Sequence, residues 1–279
     1  MVENYIPQNE PHRPSFYSWF TDKTVLVTGA TSGIGEEIVK QLSFCRTKLL
    51  LCGRNKEAME SIVEELQSAS SNVLEYFLMD LSDKETVQEL ILKINNKYSI
   101  DILINNAGIG FFSNFWEMPE KTIAELEGVN LIAVVDLCRA FLPGMMKKSG
   151  CGILNVGSVA SFFPTPCSTL YGATKYFILG FTDALHQEMI SKGVYITGVY
   201  PGNTKSFFME RSTSGKIKMG RKSMHPALVA ERALNGLSKN KIRVIPGFGS
   251  KLRAFVAPIM PISILLYKVH THTLKLLRN

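Results

Sequence analysis

The 279-residue sequence has few cysteines and no arrangement of them that would stabilise a small fold. Their number is odd, and no two form a Cys-x-x-Cys pair, which argues against a disulfide framework and a zinc site. We therefore expect no bound metal and reduced thiols, in an intracellular and cytoplasmic compartment. The five cysteines are Cys45, Cys52, Cys138, Cys151 and Cys167.

Long uncharged apolar runs are also missing at both ends of the sequence. The first 20 residues contain Glu3, Glu10 and His12 and lack the apolar core of a signal peptide. In the last 30 residues no uncharged run reaches the roughly 18–20 residues that a bilayer span needs. We find no internal repeat, low-complexity tract or linker either, so a single domain is the economical interpretation.

Acidic residues are scarce in the last quarter of the chain. Residues 211–279 hold 14 Lys and Arg but only one acid, Glu231, whereas residues 1–210 carry a net charge of −6. The overall net charge of +7 therefore hides a basic segment on an acidic body. Its partner could be an anionic membrane, an anionic substrate or a protein. We do not expect nucleic acid, because the segment is as rich in leucine and isoleucine as in charge.

Short apolar runs alternate with segments of helical spacing along most of the chain. This alternation predicts an α/β fold: a single doubly wound Rossmann-fold domain with a parallel sheet and helices on both faces. We place this domain at residues 22–247, between an N-terminal extension (1–21) and an apolar, basic C-terminal extension (248–279). The predicted strands are 24–28, 48–52, 73–79, 102–104, 153–156, 194–199 and 243–245. The predicted helices are 33–45, 55–68, 84–97, 119–147, 169–190 and 226–238.

A glycine-rich loop follows the first predicted strand and precedes a helix. Such glycines permit a tight turn and a close approach to a pyrophosphate, which the helix N-terminus then faces with free N–H groups. The spacing Gly-x-x-x-Gly-x-Gly differs from the more familiar Gly-x-Gly-x-x-Gly. An ordinary strand-to-helix turn is the alternative. The predicted cofactor contacts here are Gly29, Thr31, Ser32, Gly33, Ile34 and Gly35.

The ends of the next strands indicate which dinucleotide binds. Arg54 follows the second strand, with no acid beside it, and an arginine at this place accommodates the 2′-phosphate of NADP. An ordinary solvent-exposed arginine is the alternative. We expect NADP(H) to be preferred over NAD(H). The further predicted cofactor contacts are Asn55, Asp80, Leu81, Asn106, Ala107 and Gly108.

Tyr171 and Lys175 stand four residues apart on a predicted helix, so they share one face. A nearby ammonium favours the phenolate and lowers the tyrosine pKa, which makes the pair a candidate acid/base near neutral pH. Ser158 ends the preceding strand and is placed to hydrogen-bond a substrate oxygen. A surface tyrosine beside a lysine is the alternative when the pair is considered alone.

The motifs Thr-Gly-x-x-x-Gly-Ile-Gly, Asn-Asn-Ala-Gly and Tyr-x-x-x-Lys occur here in one order, and with them the sequence resembles the short-chain dehydrogenase/reductase family over about residues 22–247. The resemblance implies a catalytic tetrad of Asn130, Ser158, Tyr171 and Lys175. Tyr171 would exchange the proton, and Ser158 would polarise the substrate oxygen. Lys175 would lower the tyrosine pKa and hold the nicotinamide ribose, and Asn130 would bind a relay water. Homo-oligomers, dimers or tetramers, are also implied.

The segment from Pro201 to Ser206 resembles the family's Pro-Gly-x-Val-x-Thr motif, which contacts the nicotinamide carboxamide. Thr204 and Ser206 depart from that pattern, but contacts made by the backbone should survive both changes. The predicted contacts are Pro201, Gly202, Thr204 and Ser206. We expect a mobile substrate lid at about residues 203–225, where glycine and polar residues follow.

Phenylalanines are dense in the three segments expected to surround the substrate, and we name Phe111, Phe163 and Phe208 as candidate substrate contacts. These rings favour a hydrophobic carbonyl or alcohol, such as a lipid, steroid or fatty-acyl derivative. Core or lid packing is the alternative for each ring. Competing functions are a broad-specificity xenobiotic carbonyl reductase and a non-catalytic NADP(H)-binding sensor.

The tail from Ser250 to Asn279 combines apolar residues with basic ones and is interrupted by Pro258 and Pro261. A basic amphipathic segment can lie on a membrane surface, which is the interpretation we favour for this tail. An oligomer interface or a cover for the core are the alternatives.

Overall fold

The computed structural model describes residues 14–68, 72–213, 215 and 223–278. Its centre is a sheet of seven parallel strands in the order β3-β2-β1-β4-β5-β6-β7. The strands are β1 (Thr24–Thr28), β2 (Lys48–Gly53), β3 (Asn72–Leu78), β4 (Ile102–Asn105), β5 (Gly152–Val156), β6 (Tyr195–Val199) and β7 (Arg243–Val244).

The strand order reverses direction between β1 and β4, where Val25 pairs with Ile102 and Val27 with Ile104. Such a reversal opens a crevice at the carboxyl ends of the strands, which is where doubly wound proteins bind ligands. The glycine loop after β1 and the Asn106–Gly108 segment after β4 both begin at this edge. The fold predicted from the alternating pattern, with its parallel sheet, is confirmed.

Helices cover both faces of the sheet. They are α1 (Gly33–Ser43), α2 (Lys56–Ser68), α3 (Lys84–Lys97), α4 (Glu120–Glu127), α5 (Ala133–Met145), α6 (Thr169–Met189), α7 (Phe208–Ser212), α8 (Pro226–Ser238), α9 (Phe248–Val256) and α10 (Ile262–Arg278). One turn of π-helix, Gly128–Ile132, joins α4 to α5. Short 3₁₀ helices lie at Ser15–Phe20, Phe115–Glu117, Val159–Phe162, Ile190–Lys192 and Ala257–Ile259.

Two buried clusters, one on each face of the sheet, form the core. Successive strand residues point to opposite faces, so in β1 Leu26 joins one cluster while Val25 and Val27 join the other. The first cluster packs against side chains of α3, α5 and α6, and the second against α1, α2 and α8. This is why the strands are almost continuously apolar, as the sequence indicated.

Helices α4 and α5, with the π-turn between them, form one apolar run from Glu120 to Met145. By length and composition it is the one helix among the described residues that could cross a membrane. Half of its most apolar window is buried inside the protein, where Leu137 and Phe141 join the core. The run therefore has the character of a core helix.

Several elements were not predicted from the sequence: the 3₁₀ helix Ser15–Phe20 and the helices α7, α9 and α10. Phe20 is fully buried, and Trp19 stacks on Tyr195 at a centroid distance of 5.5 Å. Part of the proposed N-terminal extension is thus packed against the core, while residues 1–13 lie outside the described part of the chain. The domain boundaries at 21/22 and 247/248 stay predictions.

Candidate active site

The glycine loop after β1 is shaped by close contacts with the segment after β4. Gly29 has a φ of +63°, which side-chain-bearing residues rarely adopt, and a Cβ there would lie 2.8 Å from Ala107 Cα. A Cβ on Gly35 would collide with the carbonyl oxygen of Gly29 and with Asn106 Nδ2. The loop therefore forms a backbone-lined cradle that any side chain at these places would fill.

Hydrogen bonds from Asn106 and Thr28 hold this cradle in place. Asn106 Nδ2 donates to the carbonyl oxygens of Thr28 and Gly29, both at 3.0 Å. Thr28 Oγ1 accepts the backbone N–H groups of Asn106 and Ala107, each at 3.1 Å, and donates to Ile104. The Asn106 side chain thus supports the loop. Its hydrogen-bonding partner Thr28 was not among the residues predicted for the site.

Helix α1 begins directly after the cradle. Its N-cap, Ser32, makes no side-chain hydrogen bond to the first turn, so the side chain does not satisfy the N–H groups there. Such an N-terminus, preceded by a glycine cradle, suits the pyrophosphate of a dinucleotide. Ser206 approaches from the opposite side, where its Cβ lies 3.1 Å from a Cβ built on Gly33.

Arg54 and Asp80 face each other beyond the ends of β2 and β3. Arg54 Nη1 lies 3.2 Å from Asp80 Oδ2, and both side chains are about half exposed. Burial raises the pKa of Asp80, but hydrogen bonds from Ser82 and Arg54 outweigh it, so the pKa lies below its ordinary value. The guanidinium thus lies beyond the end of β2, where the 2′-phosphate of NADP is expected, but it already has an anionic neighbour.

Four of the other predicted cofactor contacts also pack against or hydrogen-bond to the protein itself. Asn55 Oδ1 accepts the N–H of Ala58 at 2.8 Å and so caps the start of α2. The Leu81 side chain is buried in the core, which leaves its backbone as the part able to reach a ligand. Thr31 lies over Gly53, with its Cγ2 2.8 Å from a Cβ built there, and Ile34 packs against the core.

Tyr171 and Lys175 lie on one face of α6, as their spacing predicts. Both side chains are buried, and Lys175 Nζ is 5.8 Å from the centre of the Tyr171 ring. The ammonium donates to the carbonyl oxygen of Val156 at 3.0 Å. A Cβ on Gly108 would lie 3.3 Å from Lys175 Nζ, so the segment after β4 passes directly over the lysine.

Burial sets the protonation of both groups in the protein alone. It raises the pKa of Tyr171 to about 12 and lowers the pKa of Lys175 to about 8. The hydrogen bond with Ser158 lowers the Tyr171 pKa, but by less than burial raises it. The expected lowering of the tyrosine pKa below its free value by the ammonium is therefore absent in the protein alone, because loss of solvent outweighs the polar neighbours.

Ser158 is fixed at the end of β5 by a capping box. It is the N-cap of the 3₁₀ helix Val159–Phe162, where its Oγ accepts the Ala160 N–H at 3.1 Å. Ser161 Oγ accepts the Ser158 N–H in return at 3.3 Å and so helps to hold Ser158 in place. The Ser158 hydroxyl is close enough to Tyr171 to lower the pKa of the phenol.

Asn130 lies in the π-helical turn between α4 and α5, a kind of distortion often found at functional sites. Its Oδ1 accepts the N–H of Ile109, and its Nδ2 donates to the Ile109 carbonyl, both at 2.9 Å. The same Nδ2 reaches Thr174 Oγ1 at 3.1 Å, and Thr174 donates to the Tyr171 carbonyl. Asn130 therefore joins the loop after β4 to the helix that carries Tyr171.

The three phenylalanines named as substrate contacts do not lie together. Phe111 and Phe208 pack with Tyr171, and the Phe208 ring centre is 5.5 Å from that of Tyr171. Phe163 instead packs against a separate cluster containing Tyr200 and Ala254. Its position depends on α9, which the sequence analysis had not recognised as a helix.

The Pro201–Ser206 segment connects β6 to the predicted lid. The Pro201 carbonyl accepts the Val159 N–H at 2.9 Å, which ties the turn to the 3₁₀ helix after Ser158. Thr204 pairs with Met224 in an isolated parallel bridge, and its Oγ1 donates to the Gly202 carbonyl. Helix α7 then places Phe208 over the site. Residues 214 and 216–222 of the predicted lid lie outside the described residues.

A glycine cradle lies at the switch point of the parallel sheet, beside the half-buried Ser158 and the buried Tyr171 and Lys175. This arrangement is the one expected of a nucleotide-binding oxidoreductase with a Rossmann fold. Comparison with known proteins agrees with this class. A family model described as short chain dehydrogenase matches residues 23–216. The chain therefore belongs to the short-chain dehydrogenase family.

Individual relatives and solved structures extend over most of the chain. An uncharacterized oxidoreductase of Staphylococcus saprophyticus is 33% identical over 220 residues, 78% of this chain and 92% of that protein. A very-long-chain 3-oxoacyl-CoA reductase of Anas platyrhynchos is 34% identical over 180 residues, 63% of this chain and 58% of that protein. The structure of a short-chain dehydrogenase from Sphingobium yanoikuyae in complex with NADPH has a TM-score of 0.76 at 27% identity, over 84% of this chain and 92% of that one.

Proposed function

We propose that this oxidoreductase transfers a hydride between NADP(H) and the carbonyl or alcohol carbon of a hydrophobic substrate. The observation that carries the proposal is the cluster in which the buried Tyr171 has Ser158 as a neighbour and lies one helical turn before the buried Lys175. A buried hydroxyl with these neighbours is suited to give a proton to, or take one from, a substrate oxygen.

In the proposed reaction each residue acts on a stated atom. When bound, the nicotinamide supplies or accepts the hydride at the substrate carbon. Tyr171 gives its hydroxyl proton to the carbonyl oxygen during reduction and removes the alcohol proton during oxidation. Ser158 donates a hydrogen bond to the same oxygen. The charge that develops there in the transition state is stabilised because the donors are already in place.

Lys175 and Asn130 support this chemistry from behind Tyr171. The Lys175 ammonium, held by the Val156 carbonyl and covered by Gly108, is placed to bind the hydroxyls of a nicotinamide ribose. A ligand that excludes water while offering oxygens to the ammonium would favour its charged form, which in turn favours the phenolate. Asn130 holds the loop that carries Gly108 against α6. The relay water stays a proposal.

The proposed substrate is apolar and larger than a simple ketone. Phe111 and Phe208 line the surroundings of Tyr171, together with Ile109 and Met118, and such linings favour apolar ligands. The 34% identical relative is named for a very-long-chain acyl substrate, which supports a lipid-like carbonyl compound here as well.

NADP(H) is proposed over NAD(H) because Arg54 follows β2, at a position where an arginine can accommodate a 2′-phosphate. The NADPH found in the solved structure from Sphingobium yanoikuyae supports the same choice. We further propose a homo-oligomer in a reducing, cytoplasmic compartment; the five free and buried cysteines support the compartment.

The proposal is tested by following oxidation of NADPH, with NADH in parallel, across ketones that range from small and polar to long-chain or ring-shaped. We expect turnover of the apolar ketones and its loss in Tyr171→Phe, by on the order of a thousandfold or more, because the proton donor is gone. Tyr176→Phe is the matched control, since Tyr176 lies on the same helix but is exposed and should retain full activity.

Four outcomes would contradict parts of the proposal. If Tyr171→Phe is as active as the control, Tyr171 is not the acid/base of the reaction. Faster turnover of small polar ketones than of apolar ones would contradict the proposed hydrophobic substrate. Equal turnover across the whole panel would indicate a broad-specificity xenobiotic reductase. Tight NADPH binding without turnover of any ketone would favour the sensor function.

A further inference from the structure

We propose that the C-terminal helices form a docking face for an anionic lipid surface. The face consists of Phe248, Leu252, Phe255 and Ile259, and we call it the α9 stripe. These side chains are 82%, 52%, 73% and 72% exposed, respectively. They repeat at intervals of four, three and four residues, so they lie along one side of the helical segment from α9 into the following 3₁₀ turn.

The amphipathic pattern of α9 is the reverse of an ordinary surface helix. Its buried positions are the small residues Ser250, Ala254 and Ala257, while its large apolar side chains point away from the protein. A surface helix normally turns its large apolar side chains to the core. Packing against the described part of this chain therefore does not explain the α9 stripe, and a contiguous apolar patch of this kind marks an interaction surface.

The apolar surface continues past the stripe into α10. Ile262 is 58% exposed and Tyr267 74% exposed, and Ile264 between them is about half exposed. Together with the stripe they cover a stretch of 20 residues in which α9 and α10 are separated by the break at Pro261. An aromatic side chain with a polar end, such as Tyr267, is typical of the boundary between lipid and water.

The charge around this surface identifies its partner. From Gly247 to Asn279 the sequence holds Lys251, Arg253, Lys268, Lys275 and Arg278 and no aspartate or glutamate. Lys251 and Arg253 are exposed in the same helix as the stripe. Basic residues next to a membrane surface attract anionic headgroups while the apolar side chains enter the acyl boundary.

A second copy of the chain is the weaker candidate for this face. Two copies would bring together segments of the same positive charge, with no acid in either segment to pair with it, and like charges at an interface are unfavourable. A bilayer containing anionic lipid offers the complementary charge and an apolar interior at once.

The docking face adjoins the candidate active site. A Cβ built on Gly202 would collide with Ser250 Oγ and lie 3.5 Å from Arg253 Nη2. Ala254 packs with Tyr200 and with Phe162, which belongs to the 3₁₀ helix after Ser158. Docking would place this edge of the sheet beside the lipid. If the proposed apolar substrate is correct, it could then enter from the bilayer; this consequence rests on the proposed function, whereas the docking itself does not.

The test is flotation of the full chain with vesicles of phosphatidylcholine containing about one third phosphatidylserine, at about 0.1 M KCl. We expect the protein to float with these vesicles, and binding to fall several-fold in pure phosphatidylcholine or at about 0.5 M KCl. Vesicle binding by the double variant Phe248→Ser/Phe255→Ser should be weaker by roughly tenfold or more, because this variant loses the side chains that enter the lipid. Lys251→Gln/Lys268→Gln should lose binding at the lower salt concentration.

Leu92→Ser is the matched control, because Leu92 is 63% exposed but lies on α3, and it should float like the wild type. Thermal melting of each variant establishes that it is folded. The proposal is overturned if the folded wild type stays in the supernatant, or if the double phenylalanine variant floats as well as the control. It is also overturned if the wild type sediments as a dimer and the double phenylalanine variant as a monomer, while vesicles bind neither of the two. The face would then be a contact between copies. None of these readouts depends on turnover.

Discussion

The Tyr171 hydroxyl and the Lys175 ammonium occupy one buried space, and burial acts on them in opposite directions. It opposes the charged form of each, so the pKa of the phenol is raised and the pKa of the ammonium is lowered to about 8. The sequence spacing predicts that the two are neighbours. It does not reveal how far both are removed from water, and that removal decides their pKa values in the protein alone.

A buried lysine of this kind makes stability depend on pH. Its pKa is lower folded (about 8) than unfolded (near 10.5), so the unfolded chain binds more protons between these values and stability rises with pH there. Comparing pH 7 with pH 10, we expect the wild type to gain on the order of 2 kcal/mol in unfolding free energy relative to Lys175→Met. Denaturant unfolding without cofactor, with Lys147→Met at an exposed site as control, measures this difference. A wild-type-minus-variant difference that is the same at both pH values would contradict it.

Arg54 provides a prediction about cofactor choice. Removing its guanidinium in Arg54→Ala should raise the KM for NADPH by roughly tenfold or more and leave that for NADH nearly unchanged, because only NADPH carries the 2′-phosphate. Initial-rate kinetics with both cofactors measures this, and Arg46→Ala, an exposed arginine paired with Asp22, is the control. Equal increases in both KM values would mean that Arg54 does not recognise the 2′-phosphate.

At the scale of elements, the start of α1 depends on the loop after β4. The Gly35 backbone is packed so closely against Gly29 and Asn106 that a side chain at this position in the first turn of α1 would have no room. The helices predicted from periodicity were confirmed for α3 and α8 at the same residues and for α1, α2 and α6 within two residues. The helix predicted at 119–147 is divided into α4, the π-helical turn and α5. Their contacts with loops, by contrast, came from the tertiary structure.

Two glycine substitutions in helices should have opposite effects. Gly35→Ala should lower the unfolding free energy, by about 2 kcal/mol or more, because the added methyl meets backbone that cannot retreat. Gly180→Ala, at an exposed site in α6 with nothing within 4 Å of the new Cβ, should raise it by about 0.5–1 kcal/mol, because alanine favours the helix. Thermal or denaturant unfolding measures both. A stabilised Gly35→Ala protein would show that the cradle is looser than described.

Over the whole molecule, the five cysteines are distributed through the core and its margins, and all are free and buried. Burial raises the pKa of the Cys52 and Cys138 thiols to about 12. Because the thiolate is the reactive form, thiols of this kind are inert. They serve the fold as small apolar side chains.

We therefore expect the native protein to have no rapidly reacting thiol. Titration with a thiol reagent should detect five thiols once the protein is unfolded in guanidinium without reductant, in accordance with the five free cysteines. Activity should be the same with and without reductant. A fast-reacting thiol in the native state would contradict the described burial, and fewer than five thiols after unfolding would indicate a disulfide.

The sequence by itself determined the features that depend on neighbours along the chain. Alternating apolar runs and segments of helical spacing predicted the parallel α/β fold. The order of residues along the chain put the glycine loop at the end of β1. The four-residue interval put Tyr171 and Lys175 on one face of a helix. These are local properties, because periodicity and backbone preference act over a few residues. The motif order that marks the family is also a property of the chain alone.

The tertiary structure alone decided which distant residues meet. It joined Thr28 to Asn106 and separated Phe163 from Phe208. It also buried Phe20 in the core and turned the α9 stripe outward. In each case the outcome depends on how elements far apart in sequence pack, and burial and pairing across such distances leave no periodic pattern in the chain. For the same reason, the pKa values of Tyr171 and Lys175 are determined mainly by their burial, which depends on the fold, and less by their spacing in the sequence.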